Sequence, residues 1–427
     1  MSELVESPLT AGDRNLSVAQ ARAAIAAALQ PLQPILPAET VPLMQALGRV
    51  LAADVVSPID VPAHDNSAMD GYAFAASALR ADAPTTLHAV GTLHAGAPFS
   101  GVVAAGDCLR IMTGAVMPAG LDTVVPLELC RVDGTQVLIE PGVVRSGDNR
   151  RHRGEDLAIG RPALLAGRRL SPADLGLVAS LGLHSISVFR RLRVALFSTG
   201  DELRTLGQPL DPGCVYDSNR YSLMGALQRL GMDVLDLGLV HDDPAALQST
   251  LQHAMAHSDV VLTSGGVSMG DADHTRAVLA QLGEVAFWKV AMRPGRPFAF
   301  GPLKRAGDAP PCWLFALPGN PVAALVTFYA FARDALLQLA GASAQPLAVL
   351  QARCTTALRK RPGRTEFQRG IVEPAADGGW QVRLTGSQGA GILRSMSEAN
   401  ALVVLGHDQG SVAEGGLVDV WLFDGLV

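Results

Sequence analysis

The sequence lacks the features of a disulfide-stapled, membrane-embedded or nucleic-acid-binding chain. Cysteine is scarce: five in 427 residues, at 108, 130, 214, 312 and 354, with no Cys-x-x-Cys pair. An odd, widely spaced set excludes a disulfide scaffold and predicts reduced, mostly buried thiols. His64, His152, His241 and His274 do not fall at zinc-ligand spacing, so no zinc cluster is expected. Positive charge is short too, because 34 Lys and Arg against 40 Asp and Glu leave −6. The whole molecule therefore offers no electrostatic footprint for a phosphate backbone, and nucleic acid is excluded as a partner class. Long apolar runs are absent: Pro321 to Ala332 is followed by Arg333 and Asp334 and reads as a core helix, too short to span a membrane. The first 20 residues carry Glu3, Glu6 and Asp13, without a basic start and an apolar stretch. No secretory signal is visible, and the expected location is the cytoplasm with no membrane partner.

What remains is a folded composition rich in turns, 48% apolar and 17% charged with 44 Gly and 27 Pro. At roughly 150 residues per domain, the length implies two to four domains. An Ala-rich helix is expected over Val18 to Leu29, before Pro31, Pro34 and Pro37. A second is expected after Pro42, where Leu43, Leu47, Val50 and Leu51 recur at helical intervals, ending near Asp54. From Pro58 to about Val144 short β-like runs (HAVGTL, CLRIM, DTVVPLE, TQVLIE) alternate with turn residues. A short helix should open at Ser171-Pro172, where Ser caps and Pro takes the first helical position.

From Leu192 the pattern changes. Apolar runs at 192–198, 232–239, 259–263, 285–290 and 312–317 are mostly separated by helical stretches at 218–230, 244–257 and 273–282, and a last helix spans about 321–340. Alternation of this kind predicts a doubly wound, mostly parallel sheet with helices on both faces. Past Gly341, short β runs with Gly turns predict a terminal β-barrel or sandwich.

In an open α/β sheet the ligand crevice lies at the carboxyl ends of the strands. The loops there are STGDEL, TSGGVSMGDAD and ALPGNP. The second follows a buried strand and opens a helix, so its glycines allow backbone N–H groups to approach a bound phosphate. It matches neither the Lys-bearing NTPase loop nor Gly-x-Gly-x-x-Gly. Gly266 to Gly270 does match Gly-x-Ser-x-Gly, but only His274 and His407 follow it, and neither is a suitable triad partner. Acidic residues gather in the same loops: Asp201, Glu202, Asp217, Asp242, Asp243, Asp271 and Asp273. Carboxylates beside a phosphate imply an intervening Mg²⁺, although Asp217 and Asp243 also fit helix caps. Lys289 to Pro297 (KVAMRPGRP) is a cationic loop stiffened by two prolines and suited to tetrahedral oxyanions. Arg150, Arg151, His152 and Arg153 form a second cationic cluster that reads equally as a solvated face.

These motifs carry a resemblance covering nearly the whole chain. PAHDNSAMDGYAF (62–74), RIMTG (110–114), RGED (153–156), ALFSTGDEL (195–203), SGGVSMGDAD (264–273), FAFG (298–301) and LPGNP (317–321) stand in order. The chain resembles the molybdopterin molybdenumtransferase family, the bacterial MoeA proteins and the related gephyrin E domain. The resemblance implies an α/β multidomain chain: a linker and dimerisation domain over 10–57 plus 152–190, a β-rich domain over 58–151, a molybdopterin-binding sheet domain over 191–341 and a C-terminal β-barrel over 345–427. It implies insertion of molybdate into adenylylated molybdopterin with release of AMP and a need for Mg²⁺. Carried over, Glu202, Asp242 and Asp273 hold metal and act in catalysis with Asp70 and Thr113, which reach the crevice from the partner subunit of a homodimer. Asp156, Ser264, Gly265, Gly266, Ser268, Lys289, Arg293, Arg296, Pro318, Pro321 and Arg369 bind substrate, and other enzymes of molybdenum-cofactor synthesis are implied partners. Adenylyl transfer to the pterin and a non-catalytic, gephyrin-like scaffold are the alternatives. There are departures: Arg293 and Arg296 stand where the family commonly has Lys, Ala390 where it often has Ser, and His152 where Arg is frequent.

Overall fold

The computed structural model describes residues 15–29, 36–266, 272–345 and 347–427, excepting the side chains of 272–274. Alternation of side chains along the strands builds the central layer. On Arg193–Thr199, Val194 and Leu196 face one apolar cluster while Ala195 and Phe197 face another. Val260–Ser264 divides likewise, Val260 and Leu262 to one side and Val261 to the other. Helices Asn219–Arg229 and Pro321–Thr327 cover the first face, and Pro244–His257 and Ala272–Leu282 the second. Two buried faces explain why these strands are apolar throughout rather than alternating.

The expected strands are all present, and the sheet is mostly parallel. Its order is Asn15–Leu16, Ala286–Val290, Pro297–Leu303, Cys312–Leu317, Val260–Ser264, Arg193–Thr199, Asp233–Val240. Pro297–Leu303 runs antiparallel to both neighbours and was not expected as a strand. At the far edge the register shifts between Leu196 and Phe197, opposite Gly238 at φ 75°, so one extra residue bulges out of Asp233–Val240. The helix at 321–339 has the extent expected from the sequence and passes through a fully buried π-helical stretch, Phe328–Ala332. Long and apolar enough by composition to cross a membrane, it is 78% buried within the protein.

The chain after 349 closes into a five-stranded barrel. Thr365–Pro374 pairs with Trp380–Leu384 and Ala401–Leu405, while Leu350–Cys354 and Leu417–Leu422 complete the ring. A sixth strand, Met292–Arg293, joins Thr365–Glu366 in parallel and stitches the central region to the barrel. One apolar cluster also runs across this junction, since Phe367, Met396, Leu402 and Trp421 share a core with Trp288, Phe298 and Phe331.

Residues 71–139 form a six-stranded sheet that contains the four β-like runs read from the sequence. The helix expected after Pro42 is not there. A single 3-10 turn, Leu43–Gln45, is followed by Gly48 at φ 72° and by bridges from Val50 to Arg169 and Leu51 to Val188. The preceding Ala38–Pro42 pairs with Ser185–Phe189, so long-range pairing overrides helical spacing. The helix Pro172–Ser180 opens as expected, with Ser171 and Asp174 forming a capping box. All five cysteines are free; 108, 312 and 354 are buried, and burial pushes Cys108 up to about 12 and Cys312 to about 11.

The Arg150–Arg153 cluster is tied into ion pairs. Arg150 binds Asp65, Arg151 binds Glu155 at 2.6 Å, and Arg153 binds Asp60 at 2.6 Å. The Arg153 backbone N–H and the Arg150 guanidinium hold the Asp65 carboxyl below the ordinary carboxylate range. A depressed carboxylate stabilises the fold above its unfolded pKa, and that contribution is lost as pH falls through the folded value. Asp65→Asn should therefore lower the thermal midpoint at pH 7, with the difference from wild type closing below about pH 4. Scans at several pH values would show an unchanging gap if the ion pairs contribute nothing. Phe298 is 1% exposed, its ring centroid 5.1 Å from that of Phe331 and 5.9 Å from that of Trp288. Phe298→Ala should cost about 3–5 kcal/mol, read as a lowered denaturant midpoint.

Candidate functional site

The expected crevice exists as a cavity of about 850 Å³, bounded by the carboxyl ends of the central strands on one side and by the barrel on the other. Its floor is set by close backbone approach. Gly265 (φ 97°) follows the buried strand Val260–Ser264, and a Cβ on it would lie 2.2 Å from the Thr199 carbonyl oxygen. Only glycine allows the two strand ends to meet there. Gly266, at φ 68°, continues the turn, and both glycines line the cavity.

Below this turn lies a polar network. Asn219 Nδ2 donates to Ser264 Oγ at 2.7 Å and to the Gly319 carbonyl at 2.6 Å, and Ser264 Oγ donates to the Pro318 carbonyl at 3.3 Å. Ser264 is 2% exposed, so its hydroxyl ties two loops together. Asn219 Oδ1 is buried and has no hydrogen-bond partner among the described residues. Pro318 and Pro321 line the cavity at either end of this short loop, Pro321 starting the helix behind it.

Charges divide across the cavity. Arg293 and Arg296 lie on one wall and are exposed, with Gly295 (φ 94°) between them packed against Thr327. Glu202 and Asp242, also exposed, lie among the loops after Arg193–Thr199 and Asp233–Val240. The Thr199 hydroxyl donates to the Asp242 carboxylate, and the Asp242 backbone N–H donates to Asp201 at 3.3 Å. No group of three or more His, Cys, Asp or Glu converges closely enough to hold a metal among the described residues. Glu202 and Asp242 nevertheless suit Mg²⁺, which takes one or two carboxylates and completes its shell with water and phosphate oxygens. Ser268 and the Asp273 side chain lie outside the described residues.

Of the remaining expected residues, Lys289 sits on Ala286–Val290, paired with Pro297, and is not among the described lining residues. Arg369 is fully buried behind the cavity wall. Its guanidinium donates to Ser395 Oγ at 3.0 Å and to the Gly389 carbonyl at 3.0 Å, while its backbone pairs with Gln388. Burial, then repulsion from Arg293, lowers it to about 10. Arg369 thus holds the loop carrying Gln388 and Ala390 to the cavity. Asp70, Thr113 and Asp156 do not line this cavity. Thr113 donates to Asp70 through its backbone N–H and its hydroxyl, each at 2.7 Å, and these bonds hold the exposed Asp70 carboxyl below its ordinary range. Asp156 is exposed, its N–H bonded to the Val61 carbonyl.

Sequence reasoning missed Asn219, Thr199, Gln388 and Arg364, all of which line the cavity. Asn219 lay two residues from the flagged Asp217, which is buried and bonded to Arg220 and Ser198. Arg364 carried only a Pro-Gly-Arg turn as a signal.

Three family models match in order: the MoeA N-terminal region (domain I and II) over 16–182, a probable molybdopterin binding domain over 195–338, and the MoeA C-terminal region (domain IV) over 351–423. A molybdopterin molybdenumtransferase from Haemophilus influenzae is 40% identical over 388 residues, covering 90% of this chain and 94% of the relative. A second, from Nostoc, is 37% identical over 86% of this chain and 84% of its own. The crystal structure of a molybdopterin biosynthesis MoeA protein from Pyrococcus horikoshii superposes with a TM-score of 0.80 at 26% identity, covering 96% of this chain and all of its own. A loop-lined cavity where the motifs converge, on a fold shared from end to end, thus accompanies matches along nearly the whole sequence: the chain belongs to the molybdopterin molybdenumtransferase family, transferases that insert molybdenum into molybdopterin.

Proposed function

We propose that the chain is a cytoplasmic homodimeric enzyme that inserts molybdate into adenylylated molybdopterin with release of AMP, and hands its product to other enzymes of molybdenum-cofactor synthesis. The observation that carries this reading is the polarity of the cavity, with Arg293 and Arg296 on one wall and Glu202 and Asp242 on another. The turn after Val260–Ser264 suits the phosphates of an adenylylated pterin: Gly265 is anchored through its own N–H to the Leu317 carbonyl, and the backbone from Gly266 onward is the part that would donate N–H bonds to phosphate oxygens at a strand-to-helix turn. The guanidinium forks suit tetrahedral molybdate, and Arg in place of Lys keeps the charge while adding bidentate geometry. Between Pro318 and Pro321 the loop is restricted before ligand arrives, which lowers reorganisation during reaction. Glu202 and Asp242, with Asp273, would hold Mg²⁺, which supplies neutralisation of charge on the phosphoanhydride. The Thr199 hydroxyl and Asp242 together fix one carboxylate toward that role.

Asp70 and Thr113 complete the site from the partner subunit in this proposal. Supporting it, the pair is exposed, preorganised by two hydrogen bonds, and absent from the cavity of its own chain. The domain formed by 10–57 and 152–190 would then join the two copies.

Purified protein mixed with adenylylated molybdopterin, molybdate and Mg²⁺ should release AMP, followed by chromatography, only when all components are present. Asp242→Asn should slow that release about 100-fold or more; unchanged release and metal dependence would remove Asp242 from the site. Asp70→Ala and Asp242→Ala proteins, each inactive alone, should recover roughly a quarter of wild-type activity when unfolded and refolded together, because mixed dimers carry one intact site. Absence of recovery in a verified mixed dimer would place Asp70 in the site of its own chain.

A further inference from the structure

Resting on this reading of the site, we infer that Arg364 is the third cation of the oxyanion pocket, acting with Arg293 and Arg296 to bind molybdate. Three observations place it there. First, Arg364 lines the same cavity as Arg293, Arg296 and the loop residues Gln388 and Ala390. Second, the parallel pairing of Met292–Arg293 with Thr365–Glu366 fixes the two arginine-bearing segments side by side, reinforced by the Thr365 N–H bonded to the Ala291 carbonyl at 2.9 Å. The separation is therefore set by backbone rather than by flexible side chains.

Third, the guanidinium is oriented before any ligand binds. Arg364 Nε donates to Glu366 Oε1 at 2.8 Å and its Nη2 lies 2.7 Å from the same oxygen. The Glu366 side chain is 5% exposed and its other oxygen accepts from Gln368 Nε2, so the carboxylate is itself fixed. The Arg364 side chain is 40% exposed, and its Nη1 meets no protein acceptor among the described residues. One edge of the fork is clamped by Glu366, on a residue that lines the cavity. Arg369, by contrast, is fully buried and donates to the Gly389 and Ser387 carbonyls and to Ser395.

A tetrahedral dianion surrounded by several oriented guanidinium edges is bound through charge-assisted N–H bonds, and a lysine ammonium cannot reproduce the clamped fork. Ala390 strengthens the case, because a methyl group there offers no hydroxyl donor, leaving the arginines to supply the contacts.

The test is equilibrium dialysis of molybdate against the full chain at fixed ionic strength, which reads binding without turnover. Arg364→Gln should raise the dissociation constant about tenfold or more, and Arg364→Lys should recover only part of that loss. Arg359→Gln removes the same charge from an exposed neighbouring position outside the cavity and should change binding less than about threefold, since solvent-exposed charge is screened. Thermal midpoints identify folded variants, and Arg364→Lys serves if Arg364→Gln does not fold. Wild-type affinity in a folded Arg364 variant, an equal loss in Arg359→Gln, or no molybdate binding by the wild type would overturn the assignment. Molybdate binding through Arg364 without AMP release would instead overturn the proposed reaction and leave Arg364 as an oxyanion ligand.

Discussion

The site depends on one constraint: the central sheet and the barrel are packed through a single apolar core. Phe298, Phe331 and Trp288 from the sheet region meet Phe367, Leu402 and Trp421 from the barrel within one buried cluster. Apolar packing of this density resists small displacements. The polar walls of the cavity are the ends of the same elements, so their spacing is inherited from the core beneath. Met292–Arg293 adds a directional link, pairing backbone to backbone across the junction.

On that base the chemistry is arranged by exclusion as much as by attraction. Glycine at 265 lets two strand ends approach until no side chain fits, and its N–H is spent on the Leu317 carbonyl at 3.0 Å, which fixes the turn against the neighbouring strand. Arg293 and Arg296 come from the segment before Pro297–Leu303, Glu202 and Asp242 from the loops after Arg193–Thr199 and Asp233–Val240, and among the described residues no ion pair joins the two sets, so an anionic ligand meets their charge without first breaking one. Arg369 shows the other use of a cation, bonded inward to carbonyls that shape a loop. Its burial explains why it stands below the ordinary arginine value.

Much of this was legible in the chain. The parallel strands were plain because burial on two faces makes them continuously apolar, and the glycine-rich and acidic loops followed from their place at strand ends. Pro297–Leu303 escaped notice because prolines at 297 and 302 and a glycine at 301 interrupt strand signals, and its partners lie on either side only after folding. The supposed helix after Pro42 had helical spacing, but its neighbourhood is committed to pairing with residues about 145 positions away. Arg369 was found by motif while its inward orientation was not, because a strand position does not reveal which loop will cover that face. Arg364 had no distinguishing spacing at all. Its role emerges only from a register between segments more than 70 residues apart.

The bulge opposite Gly238 bears on how this molecule remains a discrete particle. Asp233–Val240 is the exposed margin of the seven-stranded sheet, the place where another strand would most readily add. The extra residue interrupts the regular spacing of N–H and C=O groups, and Asp233 and Asp236 put carboxylates along the same margin. Asp236 is held there by an ion pair at 2.6 Å with Arg220 of the helix Asn219–Arg229. A neighbouring chain arriving in extended form would meet mismatched donors and negative charge instead of a continuous template. Growth of the sheet by edge-to-edge addition is thereby disfavoured, and a protein with nearly half its residues apolar is protected from fibrillar self-assembly at this exposed margin.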